Sequence, residues 1–329
     1  MATNKKKVLM TDSMDRAGAE VLRARDDLEV VPFNYMATRP EYVALLEQHA
    51  PVHATVLSST LFGEPELVAA KGIEVIARIG VGYDAIDIPL MTKHKVPVMI
   101  AGTANSPSVA EKAMTLMLTL AKRVGELDRL VGEGRWGERF NTVPVDLFEK
   151  TVLIVGFGRI GSRSAKRCQA MEMKVLVYDP YVPAASISAA GCEPVTDLDA
   201  AVARADFITI HCPTTKETVG MFNAARLGRM KPSAYLVCTA RGGIIDEKAL
   251  HAALVGKKLA GAGLDVFDKE PPDNDNPLLK LANVIKAPHM AGVTVESRSR
   301  MAVQAAQNVL SVFDGKPNKE NAVNKEIYE

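Results

Sequence analysis

Short apolar runs alternate with amphipathic stretches along almost the whole chain, the pattern of a parallel sheet wrapped by helices. In the N-terminal third the runs predict strands at Lys7–Thr11, Leu28–Pro32, Ala54–Ser58, Val75–Ile79 and Pro97–Ile100. Helical spacing falls between them, as in Arg39–His49, where Val43, Leu45 and Leu46 share a face. A second series opens with Thr151–Val155 and continues through Val175–Tyr178, Phe207–His211, Tyr235–Cys238, Gly261–Asp265 and Val284–Ala287.

Between the two series a long helix begins near Ser106-Pro107-Ser108. Pro107 suits a first helical turn, and Ser108-x-x-Glu111 has the spacing of a capping box. The helix is expected to run through Met114, Leu116, Met117, Leu118 and Leu120 to about Gly125. It is apolar nearly all round, which predicts burial, partly by another subunit. Val131–Asp146 follows as a polar, glycine-containing stretch with the chain's one tryptophan, Trp136. A last helix, Val295–Asp314, has too little chain after it to found a domain and is expected to pack back on the first. The organisation predicted is a discontinuous substrate domain, 1–103 with 297–329, around a cofactor domain, 104–296.

The 329 residues suffice for about two domains. Forty basic against 39 acidic side chains give a net charge of +1, with nothing to attract nucleic acid or an anionic membrane. Lys5-Lys6-Lys7 reads as a solvated lead-in to the first strand. No stretch approaches the ~20 apolar residues of a membrane span, and no secretory signal is visible. Cys168, Cys192, Cys212 and Cys238 lack CxxC spacing, which argues for reduced thiols in a cytoplasmic protein and against a zinc site or disulfide framework. No C-terminal regulatory domain is expected after the last helix.

Val155-Gly156-Phe157-Gly158-Arg159-Ile160-Gly161 is a GxGxxG with the required context. A buried strand precedes it, a helix (Ser162–Met171) follows, and a second strand ends in Asp179. Gly156 permits the tight turn, Gly158 lets backbone approach a pyrophosphate, and Gly161 lets the helix sit close to the sheet. Asp179 would bind the adenosine ribose hydroxyls and repel a 2′-phosphate, and Pro180 and Tyr181 supply no cation, so NAD is the expected cofactor. The turn Gly80-Val81-Gly82 likewise follows a strand end where an open sheet offers backbone N–H groups.

Arg241, Glu270 and His289 each follow directly on an apolar strand. Singly they read as a surface arginine, a loop carboxylate and a loop histidine. Together they suit the reduction of a 2-oxo acid: the guanidinium fork holds a carboxylate and polarises a ketone. The imidazole delivers the proton near neutral pH, and a carboxylate beside it orients it and favours its charged form. The set is complete without a metal.

These motifs, with Gly80-Val81-Gly82-Tyr83-Asp84, Ser108-Val109-Ala110-Glu111, His211-Cys212-Pro213, Thr239 to Asp246, Gly263 to Phe267, Glu270-Pro271-Pro272 and Pro288 to Gly292, occur in one order over nearly the whole chain. In that order they resemble the D-isomer-specific 2-hydroxyacid dehydrogenases. The resemblance implies two doubly wound α/β domains, a Rossmann NAD-binding domain inserted in a flavodoxin-like substrate domain, with NAD in the cleft between them. It matches Arg241, Glu270 and His289 to the family's catalytic residues. Arg159, Ile160, Asp179, Cys212, Thr239 and Asp265 match positions lining the NAD site, with Ala240 and Gly292 in the same motifs. Val81 and Gly82 match the loop whose amides hold the substrate carboxylate, and Ser58 is placed to hydrogen-bond the substrate. The resemblance also implies a homodimer built around the helix after Ser108. Ala85 departs from the asparagine many relatives carry, Gly134–Phe148 matches no relative closely, and Pro288 stands where formate dehydrogenases carry glutamine.

Two enzymatic branches and one binding protein compete within this resemblance. Phosphoglycerate dehydrogenases of the animal type carry basic side chains after the third strand, where Leu57 and Leu61 align here with only Arg78 nearby. That favours hydroxypyruvate or glyoxylate over a phosphorylated acid. An NAD(H)-sensing corepressor keeping the same residues is the rival of another class, disfavoured by the lack of partner-binding extensions. An amino-acid dehydrogenase would need a lysine in place of Arg241 or His289.

Overall fold

The computed structural model describes residues 5–329. The chain divides into two compact units, one comprising residues up to Asn105 together with Val293–Glu329, the other Ser106–Gly292. Both are doubly wound parallel-sheet α/β folds.

The first unit contains β1 (Lys6–Thr11), β2 (Leu28–Phe33), β3 (Ala54–Leu57), β4 (Val75–Arg78) and β5 (Val98–Met99), in the order β2-β1-β3-β4-β5. This is the flavodoxin-like order, whose switch point lies between β1 and β3. β3 is buried along its whole length, so it reads as a continuous apolar run rather than an alternating one. Leu57 is therefore a core residue, packed with Phe62, Ile76 and Met91. It is not available to a ligand, which corrects the expectation that it stands where a phosphate would be met. Helix Arg39–His49 buries Tyr42 and Leu46, and only partly Val43 and Leu45. Tyr42 was not foreseen as a core residue; its hydroxyl finds Thr55 Oγ1 at 2.6 Å, which satisfies the polar tip of a fully buried ring. Helix Val295–Phe313 packs on β3, β4, β5 and helix Arg16–Arg23, so the C-terminal segment completes this core.

The second unit contains β6 (Thr151–Val155), β7 (Lys174–Tyr178), β8 (Glu193–Pro194), β9 (Phe207–Ile210), β10 (Tyr235–Cys238), β11 (Gly261–Leu264) and β12 (Val284–Lys286). Their order, β12-β11-β10-β9-β6-β7-β8, is the Rossmann arrangement with one added strand. Every pairing is parallel, so all carboxyl ends face one edge.

The long helix spans Ser106–Ala121 and stops short of Gly125. Arg123, at φ 49°, turns the chain left-handed into a second helix, Val124–Gly132. Ser108 lies inside the first turn, and Glu111 pairs with Arg167 at 3.0 Å instead of closing a capping box. The segment read as irregular carries that second helix and a 3₁₀ turn, Trp136–Asn141. Among the described residues no helix is long and apolar enough to cross a membrane.

Helix Ser106–Ala121 sits on β10 and β11 through a smooth patch. A Cβ on Gly263 would lie 3.0 Å from Leu116 Cβ and 3.4 Å from Leu120 Cδ1. Gly263→Val should therefore overpack this seam and cost about 1–3 kcal/mol, read from the urea midpoint. A loss within a few tenths of a kcal/mol would mean that the helix is free to lift off the sheet.

Candidate active site

The turn after β6 is built by steric necessity. Gly156 adopts φ +94° directly beneath the backbone of His211 and Cys212, where a Cβ would lie 2.7 Å from Cys212 N. A Cβ on Gly161 would collide with the Gly156 carbonyl oxygen, so the helix that starts there can approach the strand end only as glycine. Beyond Gly158 there is open space. Helix Gly161–Ala170 has Ile160 at its N-cap, which offers no side-chain acceptor to the first-turn amides. Those amides and the positive end of the helix dipole fit a pyrophosphate.

Asp179, at the end of β7, accepts from Phe157 N–H at 2.7 Å and from Tyr181 N–H at 2.9 Å, one bond to each carboxylate oxygen. Each oxygen retains a second acceptor site for a ribose hydroxyl. Arg159 is exposed beside the turn, and Ile160 is half-buried. Cys212 is half-buried after β9, and burial pushes its thiol up to about 11, so it serves as a small apolar surface rather than a nucleophile. Thr239 and Ala240 follow β10; the Thr239 hydroxyl is buried without a hydrogen-bond partner among the described residues, a group suited to a bound ligand. The glycine turn, the uncapped helix, Asp179 and this hydroxyl all fit a dinucleotide.

Arg241, Glu270 and His289 come from the ends of β10, β11 and β12, three neighbouring strands. His289 Nδ1 lies 2.7 Å from Glu270 Oε2, and Glu270 Oε1 accepts from Phe267 N–H at 3.0 Å. The two side chains remain 46% and 36% exposed, so the pair stabilises the fold by no more than about 1 kcal/mol; its consequence is orientation. His289 itself adopts φ +53°. Its N–H donates to the Asp265 carbonyl at 2.8 Å, and the amides of Met290 and Ala291 donate to the two Asp265 carboxylate oxygens at 3.0 and 2.7 Å. Burial raises the Asp265 pKa, and those two amides oppose the rise. Gly292, half-buried, ends the segment. Arg241 is half-buried, its Nη1 donating to Ala240 O at 2.8 Å.

Val81 and Gly82, half-buried after β4, and Ser58, half-buried after β3, lie at adjacent strand ends of the first unit. The residues singled out in the sequence thus fall into two groups, one in each unit. Asp268 and Glu247, described below, were not foreseen, because they act on backbone amides and leave no spacing signature.

Residues 114–291 match the family described as D-isomer specific 2-hydroxyacid dehydrogenase, NAD binding domain. The chain is 39% identical over 318 residues to the D-3-phosphoglycerate dehydrogenase of Archaeoglobus fulgidus, covering 97% of this chain and 59% of that one. It is 40% identical over 263 residues to the glyoxylate reductase of Thermofilum pendens, covering 79% and 77%. The crystal structure of D-lactate dehydrogenase from Aquifex aeolicus, complexed with NAD and lactic acid, superposes with a TM-score of 0.81 at 30% identity, over 96% of this chain and 99% of that one. The chain belongs to the D-isomer-specific 2-hydroxyacid dehydrogenase family, and its second unit carries that family's NAD-binding domain. It spans about three-fifths of the Archaeoglobus phosphoglycerate dehydrogenase.

Replacing Asp179 with Ser and Pro180 with Arg should weaken use of NADH and raise use of NADPH, by removing a repelling carboxylate and adding a phosphate partner. Steady-state kinetics with the two cofactors check this; an unchanged preference would place the ribose elsewhere.

Proposed function

We propose that the protein is an NAD-dependent D-2-hydroxyacid dehydrogenase acting on hydroxypyruvate or glyoxylate. The observation that carries the activity is the 2.7 Å pair of His289 and Glu270, set beside Arg241 at the carboxyl ends of adjacent strands. NAD, when bound, exchanges the hydride with C2 of the substrate. Glu270 accepts the Nδ1–H hydrogen bond of His289 and so turns Nε2–H outward. In reduction, Nε2 gives its proton to the ketone oxygen as C2 accepts the hydride, and the ketone becomes the alcohol. In oxidation the same nitrogen takes the proton back. Arg241 binds the substrate carboxylate and polarises the ketone with its fork of donors. The amides of Val81 and Gly82 are assigned to the substrate carboxylate, and Ser58 to a substrate hydroxyl.

His289→Ala should lower kcat about 10²–10⁴-fold while leaving NADH affinity near that of the unaltered protein, measured by nicotinamide fluorescence. A kcat within a few-fold of the unaltered protein would remove His289 from proton transfer.

The substrate assignment rests on the loop after β3. With Leu57 in the core, the residues there are Ser58, Ser59, Thr60 and Leu61, none of them cationic. Arg78, at the end of β4, donates Nη1 to the Ile79 carbonyl at 2.9 Å. Arg39 is committed to the buried Glu66 through bonds of 2.7 and 2.9 Å. A phosphate dianion without several counter-charges is costly to desolvate, whereas serine hydroxyls suit a neutral hydroxyl or a small oxo acid. A second reading, 3-phosphoglycerate oxidation, is favoured by the activity named for the Archaeoglobus relative. We expect kcat/KM for hydroxypyruvate or glyoxylate to exceed that for 3-phosphohydroxypyruvate with NADH. A preference of about tenfold or more for the phosphorylated acid, some 1.4 kcal/mol, would establish the second reading.

We assign the protein to the cytoplasm, in keeping with four free thiols, and to a homodimer. The apolar face of helix Ser106–Ala121 is largely covered within the chain, with Leu116 and Met117 almost fully buried. Exposed apolar side chains continue onto the segment that follows, at Val131, Trp136, Phe140 and Val143, and we assign the dimer contact to that helix together with this segment.

A further inference from the structure

Two carboxylates outside the residues assigned so far converge on the loop that carries Arg241. Asp268 Oδ1 accepts from Gly243 N–H at 2.7 Å, while the Asp268 N–H donates to Glu247 Oε1 at 2.7 Å. Glu247 Oε2 accepts from Asn276 Nδ2 at 2.8 Å, and Asn276 Oδ1 in turn accepts from Leu278 N–H at 3.0 Å. Between these ties Gly242 lies flat on the Phe267 carbonyl, where any Cβ would collide. The next amide donor, Phe267 N–H, is the one that holds Glu270.

The bland account makes Glu247 a first-turn acid at the start of helix Glu247–Val255, favoured by the helix dipole, and Asp268 a loop acid in water. It does not explain why three of their four carboxylate oxygens are engaged by donors from other segments. Asp246 already caps that helix, accepting from Ala249 N–H at 3.0 Å, so Glu247 is not needed as its cap.

We propose that Asp268 is a positioning residue that fixes the Arg241 loop at a set distance from the Glu270–His289 pair, and that Glu247 holds Asp268 in place. Arg241 follows β10 and Glu270 follows β11, and the two loops meet where Gly242 packs on the Phe267 carbonyl; on its other side the Arg241 loop is held by Gly220 N–H, which donates to the Gly243 carbonyl at 2.7 Å. Asp268 spans the gap with a single charge-assisted bond to a backbone amide. Its hydrogen bonds run to Gly243 and Glu247 and not to His289 or Glu270, so it governs where the guanidinium stands. This inference rests on the reading of Arg241 as the residue that binds substrate.

The experiment compares Asp268→Ala with Asp268→Asn, which keeps the Oδ1 acceptor, and uses Arg241→Gln as a control. Each is assayed with hydroxypyruvate, glyoxylate and NADH, alongside NADH affinity, pH profile and melting temperature. A misplacement on the scale of 1 Å can cost about 10²-fold, so Asp268→Ala should lower kcat/KM about 10- to 100-fold. Its NADH affinity should stay within about twofold and its pH profile should not move, because no contact to the dinucleotide turn or the imidazole is lost. Asp268→Asn should recover most of the loss. Glu247→Ala, a second way to release Asp268 should Asp268→Ala fail to fold, should reproduce the phenotype in milder form. An inactive Arg241→Gln beside a fully active Asp268→Ala would overturn the positioning role, as would an Asn variant no better than Ala. An active Arg241→Gln would instead overturn the reading of Arg241 itself.

Discussion

His289 holds a left-handed backbone, φ +53°, that an L-residue adopts at a cost of about 1–3 kcal/mol. The cost is offset by three consecutive amides, of His289, Met290 and Ala291, all of which donate to Asp265. This one constraint sets the direction of the imidazole. The ring meets Glu270 there, and Glu270 is itself anchored to Phe267 N–H. The carboxylate of Asp265 is buried against the preference of its own charge, and the two amides that oppose that penalty are those that keep the His289 segment in its turn. Strain, burial and orientation are therefore one arrangement seen from three sides.

The sheet makes the arrangement possible. Parallel strands deliver every loop of the second unit to one edge, so the glycine turn, Asp179, Arg241, Glu270 and His289 are gathered without a long connection. The same logic places Ser58 and the Val81–Gly82 turn together at the edge of the first sheet. In the proposed function, specificity rests on what the loops do not carry: cations after β3, and a cation directly after Asp179.

Much of this is legible in the sequence because burial and turn chemistry leave local marks. Strand ends were placed within about two residues where apolar runs stop at a glycine or a charge. β8 was missed because two residues, one of them Pro194, make no pattern. The break at Arg123 was missed because a left-handed arginine carries no glycine signal. Leu57 was misplaced because a strand buried on both faces does not alternate, so its side chains cannot be assigned to core or ligand by period. Asp268 and Glu247 escaped for a different reason: the bonds that tie them to the Arg241 loop come from the backbone amides of Gly243 and Asp268, and a backbone amide has no letter in the sequence.

The central claim is that Glu270 acts on substrate through the His289 ring. Its most direct test is the kinetics of 2-oxo acid reduction by Glu270→Gln, which preserves shape and removes the charge 2.7 Å from Nδ1, compared with His289→Ala and with the double variant. Glu270→Gln should lower kcat with NADH affinity kept, and adding it to His289→Ala should cost almost nothing more, because its effect runs through a ring already removed. A double variant slower than His289→Ala by the full factor of Glu270→Gln alone would contradict the account.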